Sequence, residues 1–108
     1  MSGPILAGKK AGKRLAEALR EITGFYAVTE VRITPARYGN GTVHCAMALA
    51  SNRREIPLPG AVRKEVVDLL NSAFPGADWS RAQDYNVTAG VLSEHVVRLP
   101  ACLRGDAR

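Results

Sequence analysis

The stretch Tyr26-Ala-Val-Thr-Glu-Val-Arg-Ile-Thr-Pro-Ala-Arg-Tyr-Gly-Asn-Gly-Thr-Val-His-Cys-Ala-Met-Ala-Leu49 decides the fold. Its first part is dense in β-branched residues as far as Thr34, which favours an extended, pleated backbone ending near Pro35. Asn40-Gly41 is the residue pair that tight hairpin turns prefer, because both positions accept positive φ at low cost. Beyond it, Val43, Cys45, Met47 and Leu49 alternate with Thr42, His44, Ala46 and Ala48, and a period of two assigns the sets to opposite faces. The larger apolar set is expected to face the core. The apolar phase shifts between Val28 and Val31, which predicts a bulge or two partly buried faces in the first strand.

Working outward, Leu15, Ala18, Leu19 and Ile22 fall on one helical face opposite Lys10, Lys13, Glu17, Arg20 and Glu21. This spacing predicts an amphipathic helix from about residue 9 to 22, stopped by Thr23-Gly24 and started without a strong N-cap. After the hairpin, Arg53 and Arg54 sit at a turn, and residues 54–58 read as a short third strand or an extended lead-in. Pro59-Gly60 opens a second helix with Val62, Val66, Leu69, Leu70 and Ala73 inward, ended by Phe74-Pro75-Gly76. The alternation Trp79, Arg81, Gln83, Tyr85, Val87 predicts a strand with a mostly polar, exposed surface. Thr88-Ala89-Gly90 is a turn, and Val91 to Leu99 a last strand closed by Pro100.

The order is helix, strand, strand, helix, strand, strand: a single α+β domain with an antiparallel sheet and both helices on one face. A chain of 108 residues has room for one core. Residues 1–8 are expected to be a flexible N-terminus, 9–100 the domain and 101–108 a frayed tail. A shift of about fifty-one positions lays Leu15 on Val66, Leu19 on Leu70, Gly39 on Gly90 and His44 on His95, suggesting two helix-plus-hairpin units in tandem.

The composition, 46% hydrophobic and 23% charged, is that of a globular protein. The apolar stretch near the N-terminus is too short for a signal peptide or a membrane span, so a cytoplasmic protein without a membrane partner is expected. Cys45 and Cys102 then read as free thiols. Asn40-Gly-Thr42 and Asn86-Val-Thr88 match a glycosylation pattern, and Arg104-Gly-Asp106 an adhesion tripeptide; both have meaning only outside the cell.

No catalytic set, metal site or cofactor motif can be assembled, and an enzyme is not expected. His44 and Cys45 are adjacent on a strand, so their side chains should point apart and not form a thiolate-imidazole pair. His44 and His95 could meet across the sheet for acid-base work. No cysteines or histidines have ligand spacing, and Asp78, Asp84 and Glu94 are dispersed.

The net charge is +5, and it is concentrated early in the chain: residues 1–24 carry five basic and two acidic side chains, residues 57–100 four and five. Lys9, Lys10, Lys13 and Arg14 gather at the start of the first helix, where the helix dipole attracts anions. With Arg53, Arg54, Arg63 and Lys64 they form a candidate footprint for DNA or RNA. The competing expectation is a protein-interaction or assembly module, binding a partner or its own copy through an uncovered sheet face that carries Tyr38, Trp79 and Tyr85. In element order, residues 9–73 are similar to double-stranded RNA-binding domains. That resemblance implies contact with a duplex by His44 and by the pair Arg63-Lys64. The family's turn and glycine pattern before the second helix is missing, and Glu65 and Asp68 dilute that helix's charge.

Overall fold

A computed structural model describes residues 4–24 and 28–95. Eight elements follow one another: β1 (Ile5–Leu6), α1 (Lys9–Thr23), β2 (Glu30–Tyr38), β3 (Gly41–Leu49), β4 (Glu55–Ile56), α2 (Gly60–Ala73), β5 (Gln83–Asn86) and β6 (Val91–Glu94). The six strands form one sheet in the order β1-β6-β5-β2-β3-β4, every neighbouring pair antiparallel. This is the expected α+β arrangement with two more strands than the two hairpins supply. One of them, β1, arises within the segment expected to be flexible: Ile5 pairs with Leu92 and Leu6 with Val91. The other, β4, is the short third strand.

Exchanging β1 for β4, α1 for α2, β2 for β5 and β3 for β6 reverses the strand order onto itself, so the molecule has an approximate two-fold axis between β2 and β5. The tandem reading holds at three of the four matched pairs. Leu15 and Val66 are both buried, as are Leu19 and Leu70, while Gly39 and Gly90 both have positive φ.

α1 begins at Gly8 without a side-chain cap. It ends at Gly24, whose left-handed φ of 68° lets its N–H reach the Arg20 carbonyl, a conformation that costs an L-residue about 1 kcal/mol. α2 buries Val66, Val67 and Leu70; Val67 joins the inward stripe and Ala73 does not. The helices pack against each other and against one face of the sheet, sharing a core with Val31, Ile33, Ala46, Ala48, Tyr85 and Leu92.

Two expectations are corrected here. In β3 the inward residues are Ala46 and Ala48, with His44 half-buried beside them, while Val43 and Cys45 are exposed. The register decides this: Ile33 lies opposite Ala46 and Val31 opposite Ala48, so the bulky partners sit on β2 and the small alanines give α2 room to approach. Leu49 is buried as well, but by alternation it belongs to the opposite face. The strand from Trp79 to Val87 is shorter than expected and central, between β6 and β2. Its inward residues Gln83 and Tyr85 are buried rather than exposed; Gln83 satisfies its amide by donating Nε2–H to the Asp78 carbonyl at 2.7 Å. β2 pairs residue for residue with β3 from Glu30 to Tyr38, and the phase shift falls at its start, where Thr29 N–H also reaches the carbonyl of Leu49, the partner of Glu30, so that two residues face one. Tyr26, the end of the last predicted strand, Cys102 and the 101–108 tail lie outside the described residues.

Candidate partner-binding site

β4 ends after two residues because Pro57 and Pro59 follow it, each lacking an amide donor and fixed in φ. It therefore covers β3 only at Ala48 and Leu49. The β2–β3 turn has two residues, so its closing pair, Tyr38 and Gly41, exchanges hydrogen bonds and the ladder alternates from there. By that alternation the N–H and C=O of Thr42, His44 and Ala46 point away from β2, toward an edge that no described strand occupies.

α2 runs beside this edge and leaves a groove of about 480 Å³. Val43, His44 and Cys45 line it on the strand side; Arg63 and Lys64 stand at its helix-start end, Asp68 one turn further along and Asn71 at its far end. His44 is fixed by a 2.7 Å bond to the Trp79 carbonyl. A carbonyl only accepts, so His44 Nε2 carries the proton. Trp79 is held in turn by donating Nε1–H to the Phe74 carbonyl at 3.0 Å.

At the other end of the groove, α2 starts with no side-chain cap and no acidic residue in its first turn. Its free N–H groups and partial positive charge thus add to Arg63 and Lys64, which are exposed. Asn71 Oδ1 is buried and has no hydrogen-bond partner. The groove therefore has, along one wall, backbone that pairs with no described strand, cations at one end, and Asp68 with the Asn71 amide toward the other.

All eight basic residues nominated from the sequence are exposed, and the ion-paired arginines among the described residues are others, Arg32 and Arg81. The structure does not bring the eight together. Lys10 and Arg14 flank an apolar groove of about 710 Å³ bordered by Leu69 and Ala73, so the start of α1 lies beside the end of α2. Arg63 and Lys64 are at the opposite end of that helix, about 15 Å away at 1.5 Å per residue. Arg53, with φ of 66°, and Arg54 occupy the tight turn between β3 and β4, roughly 20 Å along β3 from the Arg63 groove at 3.3 Å per residue. The nominated aromatic residues are dispersed too. Tyr38 is exposed at the hairpin tip, Trp79 is half-buried against the core, and Tyr85 is fully buried under the helices.

His44 and His95 lie on opposite faces of the sheet and cannot cooperate. His44 and Cys45 also point apart, as expected, but with roles reversed: the histidine is turned toward the helices and the cysteine is exposed and free. The duplex candidates His44, Arg63 and Lys64 do share one groove.

One cluster escaped the sequence reading. On the face away from the helices, Asp84 accepts from Arg32 Nε at 2.8 Å and from His95 Nδ1 at 2.7 Å, and Arg32 is 3.6 Å from Glu30. Both carboxylate oxygens are thus engaged, and side chains of β2, β5 and the residue after β6 are tied together. The signal was the polar phase of β2, Glu30 and Arg32, but its partner strand became known only from the pairing of Arg32 with Asp84.

No helix among the described residues is long and apolar enough to cross a membrane. No family model matches the chain, and no curated protein or solved structure matches it.

Proposed function

We propose that this chain is a non-catalytic protein-interaction module, working in the cytoplasm, that receives an extended segment of its partner as an added strand along β3. The observation that carries this reading is the edge itself: three residues of β3 whose outward backbone groups pair with no described strand, beside a groove. Strand addition supplies main-chain hydrogen bonds for affinity and pockets for alternate side chains. An exposed free thiol at Cys45 fits a reducing compartment.

A display library of random nine-residue peptides, panned against the native chain and against Thr42→Pro, tests it. Thr42 is exposed, and proline there removes an edge donor without removing a β2–β3 bond. Enriched peptides should bind the native chain at micromolar level and lose roughly tenfold in affinity to the variant, the worth of one or two net hydrogen bonds. A library that enriches nothing sinks the proposal.

A second reading, contact with nucleic acid, is favoured by eight exposed cations that form no ion pair among the described residues. Their dispersal over three places makes it the weaker of the two, because binding of this type grows with the number of phosphates neutralised together.

A further inference from the structure

Resting on the interaction reading above, we infer that the β3–α2 groove selects an acidic extended peptide, with carboxylates at the Arg63–Lys64 end and a hydrogen-bond donor at the Asn71 end. The charge pattern of the groove argues for this occupant. Arg63 and Lys64 form no ion pair among the described residues, the uncapped start of α2 adds a positive dipole end beside them, and the one carboxylate of the groove, Asp68, lies further along toward Asn71. A carboxylate arriving there gains charge-assisted hydrogen bonds that a neutral side chain lacks.

Asp68 and Asn71 supply the second anchor: a cationic donor brought by the peptide meets the Asp68 carboxylate, and rotation of the Asn71 amide offers it an acceptor that otherwise has no partner. Arg63 and Asn71 are eight residues apart on the helix, about 12 Å, which an extended strand covers in about four residues at 3.3 Å each. The preferred segment therefore carries an acidic residue and a donor such as lysine about four positions apart.

Three fluorescent nine-residue peptides of alternating valine and threonine serve as probes. One carries glutamate and lysine four positions apart, one has the two exchanged, and one has glutamine at both. Anisotropy titrations at 0.15 M salt on the native chain should rank the glutamate-first peptide roughly tenfold above the exchanged one, the size expected of two surface ion pairs. Arg63→Glu/Lys64→Glu should invert that order, and Arg63→Gln/Lys64→Gln should flatten it; all four substitutions are at exposed positions, and a thermal melt verifies folding of each variant.

Equal binding of the three probes, still weakened by Thr42→Pro, overturns the charge inference and leaves the interaction module standing. Absence of binding by all three, together with a library that enriches nothing, removes the module as well. A dimer in sedimentation that Thr42→Pro dissociates assigns the edge to a second copy, and displacement of bound peptide by duplex RNA at equal concentration assigns the groove to nucleic acid; either overturns the inference.

Discussion

Tyr85 packs its ring against Phe74 at 5.5 Å, and its hydroxyl is buried with no hydrogen-bond partner. The hydroxyl lies close to Gly90, where φ of +69° favours the residue without a side chain. Because the polar atom is unsatisfied, Tyr85→Phe should be neutral or stabilising by up to about 1 kcal/mol, measured by urea unfolding near neutral pH. Burial also holds the Tyr85 phenol above its ordinary titration range. Below about pH 10 both folded and unfolded states keep the proton. Above it the unfolded chain ionises first, so stability falls as pH rises toward the folded value. Alkaline unfolding of Tyr85→Phe should show a shallower loss than the native chain. The sequence concealed this residue because Gln83 two positions earlier makes the strand look wet. Its amide is satisfied inside the protein, by the Asp78 carbonyl, and hydrophobicity does not register that. Ala46 and Ala48 misled for the converse reason, since the core needed small side chains where α2 passes.

At the scale of elements, both long helices and the first hairpin were legible, because each offers many periods of pattern and clear punctuation. β1 was not, since two residues carry no period; it exists because the edge of β6 accepts Ile5 and Leu6. β6 is described only to Glu94, so the far end of its predicted span stays an expectation. The start of α1 offers a test of helix electrostatics. Lys9 and Lys10 occupy its first turn, with no acid there and no side-chain cap, an arrangement the helix dipole disfavours. Lys10→Glu should raise stability by about 0.5–1 kcal/mol at low salt, with the gain shrinking as salt is added. Denaturant melts in 20 mM and 500 mM salt measure both effects. A gain that ignores salt points to packing instead.

Across the whole molecule, the tandem pattern was visible in the helices and lost in the last hairpin. His44 lies three residues beyond the start of β3 and His95 four beyond the start of β6, so a period of two sends them to opposite faces. The turns differ as well: residues 39–40 join β2 to β3, whereas residues 87–90 join β5 to β6. The candidate site was legible only in part. Arg63 and Lys64 stood out by charge, but the bare edge beside them depends on where β4 stops and on which way β3 faces. Charge clustering at this scale makes a further prediction. The basic groups fall in three separate places, so a duplex can engage about four cations at once, those of α1. Anisotropy with a 20-base-pair duplex should give affinity in the micromolar range or weaker at 0.15 M salt, and a log–log salt slope near −4 or shallower. A slope approaching −8 shows one continuous basic surface instead.

The pairing of β1 with β6 has a consequence for synthesis. Residues 5 and 92 are partners, so Ile5 and Leu6 leave the ribosome long before the strand that receives them. Until then they are loose apolar residues beside a cationic helix. Joining them closes the longest loop in the sheet, and contacts of such separation form late and slowly. The first strand of the chain is thus among the last to be placed.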